Sequence, residues 1–310
     1  MSTKQVQGEL WSIAPQYWSK YFEPFFLPMY KKALEQISLN DETYLLDAGC
    51  GAGLFSYMAI NTGAEVIGVD AAPGLLEIAR QRNPQHNFLE EDLESLPFVS
   101  KSFDVVVGFN SFQYAGNFTK ALAEAKRVTK EGGKIVIGIW DKPEHSDATL
   151  VLKAMKSLLP PLPAVTPGPI ALSEDGKIQT VCNSLGLKVI DKRRVACPFF
   201  YSSTRDAVKS FMSTGPAAMA LNHVSEKKVE DTITTAVQPF RLTDNMYYME
   251  NSFLLLIVKK ETEMARLDKF KPTKPSFLKE TFSRILQTVW FFSPIIILII
   301  VFASYLVYHS

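Results

Sequence analysis

Between residues 44 and 139, short apolar runs alternate with stretches in which hydrophobic residues return at helical spacing. Such alternation marks strands and helices taking turns along the chain. It predicts strands over 44–48, 65–69, 86–90, 103–109 and 133–139, and helices over 54–61, 73–82 and 117–130. Beyond Trp140 the pattern loosens. Residues 141–172 hold a short helix and the run Leu159-Pro-Pro-Leu-Pro, which cannot be continuous regular structure. A helix over 173–185 stops at Gly186, a strand follows over 187–195, helices occupy 204–239, and a last strand covers 250–259. The expected architecture is a doubly wound α/β fold with a mostly parallel, Rossmann-like sheet of seven strands. A helical insertion over about 200–248 precedes the last strand. In such a sheet ligands bind at the carboxyl ends of the strands.

The two ends of the chain read differently. Residues 1–40 carry aromatics at helical spacing, among them Trp11, Tyr17, Trp18, Tyr21 and Phe22, and predict a helical cover over the sheet. Residues 261–284 form a basic linker with Pro272 and Pro275. From 285 to 308 no charged residue occurs. At about 1.5 Å per residue, the roughly 20 residues from Val289 to Tyr308 match a hydrocarbon core of about 30 Å. Trp290, Phe291 and Phe292 at one end and Tyr305 and Tyr308 at the other sit like interfacial belts. A single transmembrane helix is expected there, and the Lys and Arg before it place the rest of the chain on the cytoplasmic side.

The densest chemistry lies in Leu45-Leu-Asp-Ala-Gly-Cys-Gly-Ala-Gly53, a strand breaking into three glycines. Glycines there allow positive φ and close approach of a ligand to the backbone. Their spacing, Gly49-x-Gly51-x-Gly53, differs from the G-x-G-x-x-G that seats a pyrophosphate on a helix. Asp47 stands just before them, where a carboxylate repels a pyrophosphate and suits a cation such as S-adenosylmethionine (SAM), with its ammonium and sulfonium. Asp70 ends the next strand, at the distance where such folds present a carboxylate to ribose hydroxyls. Asp92 and Asn110 end the third and fourth strands, so one crevice could collect all four side chains.

These residues resemble the class I SAM-dependent methyltransferases, especially the branch like the ubiquinone/menaquinone methyltransferases. The resemblance rests on LLDAGCGAG at 45–53, VIGVD at 66–70, EEDLESLPF at 90–98, SFDVVVGFNSFQYA at 102–115 and EAKRVTKEGGKIVIGIW at 124–140. It implies that Asp47, Gly49, Cys50, Gly51 and Gly53 shape the methionine side and that Asp70 and Ala71 hold the ribose. It further implies that Asp92 and Leu93 meet the adenine, that Asn110 lines the methionine or methyl-transfer side, that Tyr17 or Trp18 closes the mouth, and that the helical insertion over about 200–248 is a lid over a substrate pocket. The N-P-P-Y pattern used on amino groups of bases is absent, and Asn110-Ser-Phe-Gln stands in its place.

Composition narrows the acceptor more than the reaction. A net charge of +1 offers no electrostatic reason to expect nucleic acid. The three cysteines, Cys50, Cys182 and Cys197, show no paired spacing, and no histidine–carboxylate cluster suggests a metal. Methyl transfer from a sulfonium leaves a general base optional. Should one act, His145, after the fifth strand, is the candidate. The expected function is methyl transfer from SAM to a small, amphipathic or lipid-like acceptor at a membrane. The alternative is a SAM-binding scaffold that has lost catalysis and assembles a membrane complex.

Overall fold

The structure is a computed structural model and describes residues 3–159, 171–174, 176–243 and 245–260. These lie in one compact unit, Met1–Thr262. The expected transmembrane helix at 285–308 and the linker before it fall outside the described residues. Among the described residues no helix is long and apolar enough to cross a membrane.

The N-terminal segment forms α1 (Thr3–Trp11), a helical turn α2 (Pro15–Tyr17), a π-helical turn Trp18–Phe22, a 3-10 turn Glu23–Phe26 and α3 (Leu27–Ile37). There follow β1 (Tyr44–Ala48), α4 (Leu54–Ile60), β2 (Glu65–Asp70), α5 (Pro73–Arg82), β3 (Asn87–Glu90), β4 (Phe103–Phe109), α6 (Phe118–Val128) and β5 (Thr129–Trp140). The second half contains α7 (Ala148–Lys156), α8 (Lys177–Ser184), β6 (Leu187–Ala196), β7 (Phe199–Tyr201), α9 (Thr204–Met212), α10 (Gly215–Leu221), α11 (Glu226–Val237), β8 (Tyr247–Met249) and β9 (Ser252–Lys260). Helix starts follow local chemistry. Pro73 sits in the first turn of α5, where its missing N–H costs nothing. Asn117, Ser203 and Ser225 each accept a backbone N–H at the start of α6, α9 and α11.

Seven strands pair in the order β3-β2-β1-β4-β5-β9-β6, with only β9 antiparallel to its neighbours. This is the expected Rossmann-like sheet. Both faces are covered, so each strand divides its apolar residues between two cores: Leu45, Val105 and Val107 face one, Leu46 and Val106 the other. The fifth strand begins earlier than its hydrophobicity suggests. Phe103 pairs with Thr129 and Val105 with Lys134, so the polar residues between form a bulge that turns on Gly132 at φ 76°.

Two features escaped the hydrophobic pattern. Helix α1 is mostly polar and starts before the first aromatic. The ribbon β7–β8, with Phe199 opposite Met249, is too short to show a period. The N-terminal aromatics and the lid also share one core, since Phe22 meets Phe199 and Phe211 edge-on at 5.3 and 5.9 Å, while Phe25 stacks on Phe199 at 4.5 Å.

Candidate active site

The carboxyl ends of β3, β2, β1 and β4 open into one cleft roofed by α1 and the turn after it. Its floor is the glycine loop. Gly49, Gly51 and Gly53 have φ of 84°, 54° and 76°, a region L side chains rarely adopt. A Cβ on Gly49 would stand 2.1 Å from that of Ser111, whereas one on Gly51 would make ordinary contacts with Trp18 Nε1 at 3.5 Å and Glu23 Oε1 at 4.0 Å. Gly49 and Gly51 line the cavity; Gly53 instead packs the start of α4 against Ala79.

Asp70 reaches the cavity from the end of β2, its oxygens accepting from the N–H groups of Gly51 at 2.8 Å and Ala72 at 2.9 Å. Ala71, Asp92 and Leu93 line the same wall, and Asp92 also accepts from the Glu94 N–H at 2.8 Å. Asn110 completes the line after β4 at φ 50°. Its Oδ1 accepts from Gln113 Nε2 at 3.0 Å, while its Nδ2 is buried without a partner.

Several expected positions fall elsewhere. Asp47 is only 1% exposed, sits beneath the loop and accepts from Ser56 Oγ at 2.6 Å, so it does not line the cavity. Cys50 is likewise buried outside the lining, its thiol pushed well above the usual range by burial. Tyr17 is 38% exposed and faces Tyr21 and Lys209, leaving Trp18 as the aromatic that closes the mouth. A helical turn separates adjacent side chains by about 100°, which is why only one of the pair can face inward. His145 lies in a 3-10 turn, its carbonyl accepting from Ser252 Oγ, and does not reach the cavity. In turn, Thr3, Gln7, Trp11, Ser111 and Tyr114 line the cleft, of which Trp11 was expected only as part of the helical cover and the other four were not singled out. The first three belong to α1, whose approach to the strand ends no local pattern encodes.

The electrostatics beneath the loop are acidic. Glu23 is 2% exposed; it bonds Arg82 Nη1 at 2.7 Å and accepts from the N–H of Leu54, the first residue of α4, at 3.3 Å. Burial pushes its carboxyl up to about 7, against the pull of Arg82. Burial likewise raises Asp47 to about 7, helped by the charges of Asp70 and Glu23 and opposed by the Ser56 hydrogen bond, and it raises Asp70. Arg82 also donates to the Ala52 carbonyl and to Ser19 Oγ at 2.8 and 2.9 Å. The α4 amide that would otherwise greet a phosphate is thus occupied by the chain's own carboxylate. A pyrophosphate would meet repulsion there, whereas a cation is favoured. The sequence pointed to Asp47 for this role; Glu23 shares it, brought in by the N-terminal turn.

Residues 46–137 match the model of a methyltransferase domain family. Over 92 residues the chain is 42% identical to a malonyl-[acyl-carrier protein] O-methyltransferase of Serratia marcescens, a match spanning 30% of this chain and 36% of that protein. A protein of the same name from Buchnera aphidicola is 28% identical over 68% of this chain and 78% of its own length. A demethylmenaquinone methyltransferase of Renibacterium salmoninarum is 35% identical over 32% of this chain and 42% of its own. Two of these matches therefore span well under half of the relatives they meet. Among solved structures, a Haloferax volcanii methyltransferase in complex with the activator Trm112 superposes with a TM-score of 0.55 at 17% identity, covering 83% of this chain and 98% of that one. A methyltransferase-like Bacillus halodurans protein gives 0.53 at 17% identity, over 75% and 99%. The fold is thus the Rossmann-like methyltransferase fold. Over residues 46–137 the likeness is to methyltransferase domains, and SAM is the methyl donor that this likeness implies.

Proposed function

We propose that the protein is a SAM-dependent methyltransferase that modifies a small, amphipathic or lipid-like acceptor, tethered to a membrane by residues 285–308 with its catalytic domain on the cytoplasmic side. The observation carrying the cofactor reading is the α4 N-terminus filled by Glu23, with the buried Asp47 and the cavity-lining Asp70 close to it. This arrangement disfavours a dinucleotide and favours a positively charged nucleoside.

The residues present fit such a ligand. Asp70 keeps lone pairs after its two backbone bonds, enough to accept both ribose hydroxyls. Asp92 and Leu93, farther out along β3, suit the adenine, and Gly49, Gly51 and Ala71 let the ligand lie close to the backbone. Asp47 and Glu23 contribute charge from below rather than contact. Trp11, Trp18 and Tyr114 wall the cleft, with Trp11 edge-on to the other two at 5.0 and 5.3 Å, and give that wall an apolar surface. When bound, SAM supplies a methyl carbon already activated by its sulfonium. The chain then has to bind, orient and desolvate, and no protein nucleophile or metal is required.

For the acceptor, support comes from the uncharged C-terminal run and from the relatives, whose names specify malonyl-[acyl-carrier protein], demethylmenaquinone and a sterol. The test is transfer of labelled methyl from SAM to a total membrane-lipid extract by the full-length protein, with Asp70→Ala as control. Label entering the organic phase only with the intact site is the expected result. Equal label from both proteins would remove the assignment of the site, and none from either would remove the lipid acceptor.

A further inference from the structure

With Asp47 buried beneath Ser56, the amino-acid end of the ligand lacks its expected holder. The order of strands says where that end must lie. Asp92, Asp70, the glycine loop and Asn110 follow β3, β2, β1 and β4, which are neighbours in this order. A ligand with its ribose at Asp70 and its base beyond β3 has its other end over β1 and β4. Two polar atoms flank that place. Trp18 Nε1 hangs over Gly51, and Asn110 precedes Ser111, which packs on Gly49. Both Trp18 Nε1 and Asn110 Nδ2 are buried hydrogen-bond donors with no partner, and both residues line the cavity. Buried donors are almost always paired in folded proteins, so two orphans on residues that line one cleft point to a missing acceptor.

Charge defines that acceptor. The loop rests on two buried carboxylates, Glu23 and Asp47, beside the cavity-lining Asp70, and Arg82 is committed to Glu23, Ala52 and Ser19. The field suits the ammonium and sulfonium of SAM and opposes its carboxylate. Neutral donors hold a carboxylate without cancelling the field that attracts the cations. Resting on the cofactor reading above, we propose that Trp18 Nε1 and Asn110 Nδ2 form a neutral clamp for the amino-acid carboxylate of SAM. Gln113 is its positioning residue. It is only 9% exposed, and its Nε2 bonds Asn110 Oδ1, which fixes the Asn110 amide and leaves its Nδ2 as the end without a partner.

The experiment is calorimetric titration of the full-length protein with S-adenosylhomocysteine and with 5′-methylthioadenosine, which lacks the amino-acid portion. Trp18→Phe keeps the stacking on Phe22 (5.0 Å) and loses the donor. Asn110→Gly tolerates the φ of 50° and loses the amide. Each should weaken S-adenosylhomocysteine by about tenfold and leave 5′-methylthioadenosine within about twofold. Asn110→Asp, an acceptor in place of a donor, should weaken it further, and Gln113→Leu should do so by a few fold with the same selectivity. A merely structural role would move both ligands together. Unchanged S-adenosylhomocysteine affinity in Trp18→Phe and Asn110→Gly, or parallel loss of both ligands, overturns the clamp alone. Failure of the wild type to bind either ligand overturns the cofactor reading, and the clamp with it.

Discussion

The two halves of the sheet's carboxyl edge are built on opposite terms. Over β3, β2, β1 and β4 the chain leaves things unfinished: glycines at positive φ, a non-glycine residue at φ 50°, three of the four unpartnered buried polar atoms among the described residues, and three carboxylates raised by burial. Over β5, β9 and β6 the polar groups are satisfied. Asp141 bonds Arg194 and Ser252, and Asn251 Oδ1 accepts from the Ala148 N–H. Phe22, Phe26, Phe199, Phe211 and Phe253 fill the space beside them. One half conserves free energy by pairing everything. The other withholds pairing where a ligand can supply it, which is how a binding site differs physically from a core.

The sharpest way to break this comparison is to damage each half separately. Phe211→Ala, in the filled half, should cost about 3–5 kcal/mol of stability by leaving a cavity, read by denaturant unfolding. Asp70→Ala, in the open half, should instead weaken SAM about a hundredfold, or about 2.7 kcal/mol, with a far smaller loss of stability. Were the two variants to show the same balance of effects, the distinction between the halves would fail.

A pH series sharpens the charge argument. Asp47 and Glu23 are raised to about 7 from ordinary values of 3.8 and 4.5, so between roughly pH 4 and 7 the folded state holds protons that the unfolded chain has released. The ligand-free protein should therefore lose stability as pH rises through that window. A cationic ligand favours the ionised carboxylates, so SAM affinity should rise several fold from about pH 6 to 8. A flat affinity profile would argue that neither carboxylate feels the ligand. The smallest effect is expected from His145→Ala, which should change turnover less than twofold. A large loss would return His145 to the reaction despite its distance from the lining.

The sheet was legible because each strand is buried on both faces and flanked by turn residues, so the hydrophobic pattern and the glycines carry the same message. Asp70, Ala71, Asp92, Leu93 and Asn110 were legible for a related reason, since a strand's carboxyl end fixes where its last side chain stands. Asp47, Cys50 and Gly53 belong to the same motif yet face away from the cavity, because direction within a tight turn depends on φ and ψ rather than on spacing. Trp18 rather than Tyr17, the roof made by α1, and Glu23 at the start of α4 all come from a segment that packs across the sheet. The amino-acid sequence by itself determined the order of strands and helices and the residues at the strand ends, since both follow from local periodicity. Only the tertiary structure decided which of these residues share a cavity and which carboxylates lie buried, because burial and long-range contact are set by the packing of segments far apart in the chain.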